Sequence, residues 1–250
     1  MIDIHMHVIP SVDDGSRTME ESLDLLRSAQ AQGITSVIAT SHSDAFDHGR
    51  SNRVFAQLKR LQHAAEKAGI AVDLYPGAEI LCFRHNVDDA IAKLQRGTYP
   101  TLNRTRYMLL EFFPDECEED ACYCIDRILQ AGYHPVLAHA ERCDFVNEQS
   151  VKRLRAAGVT VQINVYSVFE EHSDTIRSRA NMLLRNRLVD FTGSDAHRMD
   201  HRPPACLKGI DYLYRTYDRD YVDLILTGNA GRLLRRNHHS VPNYIRRRSS

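Results

Sequence analysis

Apolar, β-rich runs recur along the chain with helical stretches between them, the alternation that builds βα units around a parallel sheet. The first run covers residues 1–7. Thr18-Met19-Glu20-Glu21 follows with the spacing of a capping box and opens a helix that stops before Gly33. The second run covers residues 35–42. A stretch rich in Leu, Ala, Lys and Gln predicts a helix over residues 52–68, with Gly69 as its terminating glycine. A third strand is predicted over residues 70–79, and further strands over 107–111, 134–139, 159–164 and 188–193, with amphipathic segments between most of them. The pattern amounts to about seven βα repeats, so the expected class is α/β and the expected architecture a barrel-like parallel sheet.

Composition narrows the picture. The 250 residues are 43% hydrophobic, enough for one large core, and α/β barrels reach this length as one domain. No Gly/Ser-rich or Pro-rich linker interrupts the pattern, so residues 1–236 are expected to form the barrel. Arginines accumulate from Arg232 and end in Arg246-Arg247-Arg248-Ser249-Ser250. Residues 237–250 read as a basic tail, solvated or set against an acidic partner or membrane surface. The formal net charge of -1 gives no global field for nucleic acid or anionic membrane, so any attraction for phosphate is local. No signal segment and no membrane span are evident, and a cytoplasmic protein is expected. Six scattered cysteines form no paired zinc frame and read as reduced thiols.

The informative feature is where metal-ligating side chains fall. His5 and His7 close the first run, and alternate strand residues share a face, so both imidazoles reach one ion. Asp13-Asp14-Gly15 follows in the loop. His42 ends the second strand, Glu79 the third, Glu111 the fourth and His139 the fifth. The last strand leads into Gly193-Ser194-Asp195-Ala196-His197, another alternate pair. Taken singly, each residue has an ordinary structural role, such as a turn cap or an arginine partner. Together they place ligands at most strand ends, the face on which barrel enzymes build active sites. Glu79 and Glu111 close apolar runs, where a buried carboxylate is costly without a cation beside it. Imidazole and carboxylate without thiolate suits Mn, Fe, Zn or Co. The candidate ligands exceed the needs of one ion, so more than one is implied.

With these residues the chain resembles the polymerase and histidinol phosphatase (PHP) superfamily. Within it, it is similar to the bacterial manganese-dependent tyrosine phosphatases of capsule and exopolysaccharide gene clusters. The resemblance rests on Ile4-His5-Met6-His7-Val8-Ile9-Pro10, Val12-Asp13-Asp14-Gly15, Met19-Glu20-Glu21-Ser22-Leu23, Ala39-Thr40-Ser41-His42, Gly77-Ala78-Glu79, Leu110-Glu111-Phe112, His139-Ala140-Glu141-Arg142 and Ser194-Asp195-Ala196-His197. It implies a distorted (β/α)7 TIM-like barrel of the PHP type holding three divalent ions. His5, His7, Glu79 and Asp195 would surround one. Glu111, His139 and a bridging carboxylate would surround the second, without fixing which glutamate bridges. Asp14, His42 and His197 would surround the third. Manganese is expected, with iron, zinc and cobalt as alternatives. Ser41, Ala140 and Ser11 depart from the family, which has Pro, Pro and Gly there.

The resemblance further implies hydrolysis of phosphotyrosine on a protein, a bacterial tyrosine kinase of polysaccharide export being the expected partner. Asp14, His42 and Arg142 are the expected catalytic residues, and Arg142 would offer a bidentate fork to the phosphate. Phe112 and Phe113, which follow Glu111 directly, are candidates for stacking on the tyrosine ring, against the commoner role of such a pair as core. The thiol-based alternative needs a Cys followed six positions later by Arg, and no cysteine has one. A phosphatase for a small metabolite such as histidinol phosphate, or a non-catalytic module binding phosphorylated or acidic partners, are the rival readings.

Overall fold

The computed structural model describes residues 1–169 and 173–235, so the basic segment 237–250 lies outside the described residues. Among the described residues eight parallel strands form two sheets. One contains β1 (Ile2–Met6), β2 (Ser36–Ala39) and β3 (Asp73–Pro76) in that order. The other contains β4 (Glu79–Leu81), β5 (Tyr107–Glu111), β6 (His134–Leu137), β7 (Thr160–Asn164) and β8 (Phe191–Gly193). The edges of the two sheets meet at two places. The Glu79 amide donates to the Ser41 carbonyl at 3.1 Å, and His42 bridges Glu79. At the other end the Asp195 amide donates to the His5 carbonyl, and the His7 amide to the Ala196 carbonyl, both at 2.8 Å.

Helices connect the strands: α1 (Met19–Ala31), α2 (Ser51–Lys67), α3 (Val87–Gln95), α4 (Glu118–Gln130), α5 (Glu148–Ala156) and α6 (Asp174–Arg185). After β8 come α7 (Leu207–Thr216), α8 (Arg219–Asp223) and α9 (Asn229–Leu234). Thr18 caps α1 as its spacing predicts, its hydroxyl accepting from the Glu21 amide at 3.1 Å. The reciprocal half of the box is displaced by one residue, since the Glu21 carboxylate takes the Arg17 amide. Leu25, Leu26 and Ala29 of α1 and Leu58 and Leu61 of α2 are buried against the sheet. Each such leucine stabilises the fold by about 1.5–3 kcal/mol.

The predicted third strand is broken. β3 ends at Pro76, and the chain passes Gly77 before pairing with β5 as β4, while the Gly77 and Glu79 amides still donate to the Ala39 and Ser41 carbonyls at 3.1 Å. Gly77 is required there, because a Cβ would stand 2.7 Å from the Ile38 side chain. Glu79 therefore opens β4 instead of ending strand three. His42 and His139 likewise lie beyond the ends of β2 and β6.

Two hydrophobic clusters separate the faces of the sheets. Ile2, Ile4, Ile38, Leu109, Val136 and Phe191 belong to the smaller one, while Met6, Val37, Leu110, Leu137 and Ile163 belong to the larger one that the helices cover. In β1 the register slips between Asp3 and Met6. The slip exchanges the faces, so that Met6 and Val8 join the larger cluster and His5 and His7 turn away from it.

A candidate metal centre at the strand ends

The side chains of His5, His7, Asp14, His42, Glu79, Glu111, His139, Asp195 and His197 meet in one region. Their ligand atoms form four overlapping groups: His7, Asp14, His42 and His197; His5, Glu79 and His139; His5, His7 and Asp195; His42, Glu79 and Glu111. Within each group the atoms lie within 4.8 Å of one another. Glu79 sits at the middle. Its Oε1 is 3.1 Å from His5 Nε2 and 2.9 Å from His139 Nε2, while its Oε2 is 3.2 Å from both His7 Nε2 and His42 Nδ1. Asp14 lies at the rim, 3.3 Å from His42 and 3.6 Å from His197. Glu111 is 3.6 Å from His139 and 3.8 Å from His42.

The imidazoles are oriented from behind. The His139 amide donates to Gln162 Oε1 at 2.8 Å, which fixes that atom as an acceptor, and His5 Nδ1 lies 3.2 Å from the same oxygen. His5 therefore donates from Nδ1 and turns Nε2 toward the cluster. His7 Nδ1 likewise donates to Asp13 Oδ2 at 3.0 Å, and His197 Nδ1 to the Asp195 carbonyl at 2.9 Å. The Nε2 atoms of His5 and His7 face one another at 3.3 Å. Two lone pairs at that separation repel unless positive charge stands between or upon them.

The ionisation of the site follows the same demand. Burial alone pushes the Glu79 carboxyl up, but the charge of His5 and hydrogen bonds from His139, His42 and His5 hold it well below the usual carboxylate range. Burial also pushes Asp195 up, and His5 and His139 hold it below its ordinary value. Burial pulls His139 down, yet hydrogen bonds to Glu111 and Glu79 more than reverse this and raise it to about 10. His7 is raised well above its ordinary value in spite of burial, by Asp13 and Glu79. His197 goes the other way, to about 4, through burial and the neighbouring His7. The cluster thus draws positive charge, and divalent ions that displace imidazole protons satisfy that demand. Mixed nitrogen and oxygen donors of this kind fit Mn, Fe, Zn or Co.

Two backbone features hold the site. Gly193 leaves room for His5, since a Cβ would come within 2.7 Å of the His5 Cβ, and one on Gly15 would come within 2.3 Å of the His7 carbonyl oxygen. His139 and Asp195 adopt positive φ, 28° and 52°, which aims each side chain back toward the cluster at the cost of backbone strain.

Sequence reasoning missed several participants. Asp195 Oδ2 accepts from Arg202 Nη1 at 2.9 Å and Asn164 Nδ2 at 3.0 Å, and lies 3.1 Å from Arg142 Nη1. Arg142 also donates to the Tyr166 hydroxyl. Two guanidiniums therefore flank the cluster where one was expected. Arg142 pairs with Asp195 and not with its neighbour Glu141, which is buried and accepts from the Asn164 amide and the Ser167 hydroxyl. Asp13, adjacent to the candidate ligand Asp14, carries a separate duty: it orients His7 and accepts from the His42 and Gly15 amides. The stacking expected of Phe112 is corrected. Its ring is only 2% exposed and packs edge-on against Phe145 in the larger core cluster, so no face is left for a substrate.

Fold and site define a parallel α/β protein with a convergent set of imidazole and carboxylate side chains, candidate metal ligands, at its strand ends. The model of the CpsB/CapC family of capsular polysaccharide synthesis matches residues 1–235, and the chain belongs to that family. It is 30% identical over 247 residues to the tyrosine-protein phosphatase CpsB of Streptococcus agalactiae serotype V, covering 96% of this chain and 100% of that protein. It is 33% identical over 243 residues to CpsB of Streptococcus pneumoniae, covering 94% and 98%. Its fold superposes with a TM-score of 0.83, at 28% identity and 94% coverage of each chain, on a crystal structure from work on YwqE of Bacillus subtilis and CpsB of Streptococcus pneumoniae, described there as unique metal-dependent tyrosine phosphatases.

Proposed function

We propose that the chain is a metal-dependent protein tyrosine phosphatase, a phosphoric monoester hydrolase, that acts on a bacterial tyrosine kinase controlling capsular or exopolysaccharide synthesis. The observation that carries this reading is the convergence of nine imidazole and carboxylate side chains beside two arginines. The names of the relatives support the substrate class. We read the two sheets as arcs of one distorted (β/α)7 barrel, with β3 and β4 as halves of one strand, and residues 1–236 as that domain. Three divalent ions are proposed, manganese first. His5, His7, Glu79 and Asp195 would hold one, Glu111, His139 and a shared Glu79 the second, and Asp14, His42 and His197 the third. The opposed placement of the two Glu79 oxygens supports Glu79 as the bridging carboxylate.

Divalent ions, when bound, supply Lewis-acid charge and a water of lowered pKa as nucleophile. Three of them against four carboxylates leave about two positive charges, suited to a phosphate dianion. Arg142 and Arg202 anchor on one oxygen of Asp195 and stand ready to donate to phosphoryl oxygens as charge builds in the transition state. Asp14 and His42, at the open side of the cluster, are the groups best placed to meet the incoming phosphate. A phenol leaves readily because its pKa is about 10, which favours phosphotyrosine over phosphoserine. No described helix is long and apolar enough to cross a membrane, and we place the protein in the cytoplasm.

The test is turnover of phosphotyrosine peptides and histidinol phosphate by manganese-loaded protein. Phosphotyrosine turnover that collapses on chelation and in Arg142→Ala is expected. Preference for histidinol phosphate would replace the substrate, and metal-free phosphoprotein binding without turnover would replace the enzyme with a binding module.

A further inference from the structure

The strand alternation that carries Glu111 into the cluster continues past the end of β5. Met108, Leu110 and Phe112 belong to the larger cluster beneath the helices, while Leu109 and Glu111 face the other way. Phe113 has the parity of Glu111, and it is 48% exposed. The neighbouring strand repeats the arrangement: Ile80 and Cys82 belong to the larger cluster, Glu79 faces the site, and Phe83 follows on the Glu79 side. The two rings stack on each other, centroids 6.3 Å apart and planes 28° from parallel.

The backbone that carries both rings is held in place. The Cys82 amide donates to the Glu111 carbonyl at 3.0 Å, which fixes one segment beside the other. The Phe83 amide donates to Asn86 Oδ1 at 2.9 Å, and Arg84 pairs with Asp120 and Glu119 of α4. On the other side the Phe113 carbonyl accepts from the Glu116 amide at 3.0 Å, and the Pro114 carbonyl from the Asp144 amide at 2.8 Å. Phe113 is exposed and Phe83 half-buried beside it, so the pair offers apolar surface on a constrained rim, preorganised for an apolar ligand.

Resting on the phosphatase reading above, we infer that Phe113 and Phe83 form an aromatic rim that receives the phenyl ring of the substrate phosphotyrosine. A phosphate held at the cluster leaves its ester substituent pointing out through the mouth, past the ends of β4 and β5. A phenyl group there finds a ring to stack on, whereas the methylene of phosphoserine finds none. The rim selects aryl over alkyl esters by binding, in addition to the leaving-group chemistry.

The experiment measures binding by calorimetry to the metal-loaded protein and to its Phe113→Ala, Phe83→Ala and Phe113→Tyr variants. The probes are a peptide carrying the non-hydrolysable phosphonomethyl-phenylalanine and inorganic phosphate. Phe113→Ala should weaken the peptide about three- to tenfold and leave inorganic phosphate within about twofold, with Phe113→Tyr restoring peptide binding. Equal weakening of both probes, or no change in either, overturns the rim assignment. If wild-type protein turns over no phosphotyrosine, the phosphatase reading itself fails, an outcome separate from the behaviour of the variants. Thermal melts of each variant accompany the titrations, so that loss of fold is seen directly.

Discussion

At the scale of single residues, the site depends on groups that never touch the ligand position. Asp13 illustrates this, since its carboxylate fixes the His7 tautomer while its neighbour Asp14 faces the cluster. Asp13→Asn should lower metal affinity about 10- to 100-fold, read by competition with a chelator of known affinity. Unchanged affinity would show that His7 needs no such support. Gly193→Ala should be worse, because its methyl would occupy the space of the His5 Cβ; loss of bound metal in a still-folded variant is the expected result. The convergence of the candidate ligands is legible in the amino-acid sequence, because imidazoles and acids that recur at the ends of apolar runs carry a burial cost that a shared cation would relieve. Arg202, Gln162 and Asn164 are not legible, as nothing in an isolated Arg, Gln or Asn tells which carboxylate or imidazole it will meet. The period of two argues against the stacking role expected of Phe112: a strand that turns Glu111 toward the site turns the next residue away.

At the scale of elements, the βα alternation predicts the strands and helices within a few residues, and the differences share a cause. The apolar pattern runs on through the ligand residues, whereas His42 and His139 lie beyond the ladder in the loops that position them. The run over residues 70–79 divides because its two sides pair differently: the Gly77 and Glu79 amides continue to the Ala39 and Ser41 carbonyls, whereas pairing with β5 begins only at Glu79. Gly77→Ala should cost about 1–3 kcal/mol through the clash with Ile38, measured by urea denaturation. A neutral substitution would mean that the crossing is looser than its contacts indicate. Thr18→Ala should cost about 1 kcal/mol in the same assay through loss of the α1 cap, with metal content unaffected.

At the scale of the molecule, the two sheets meet beside candidate ligands, at His42 and Glu79 and at His5 and Asp195. Metal binding and the closure of one sheet on the other should therefore be coupled. Removing metal with a chelator should lower the thermal midpoint by roughly 5–10 °C at ligand concentrations about 100-fold above Kd, with recovery on adding manganese. Family membership extends this picture over residues 1–235, the span in which every candidate ligand lies. The most direct measurement is elemental analysis of the dialysed, manganese-reconstituted protein alongside its Glu79→Ala variant. More than one ion per chain in the wild type, falling sharply in the variant, is the predicted result. Less than one ion per chain in both would contradict the assignment of these side chains to a metal centre.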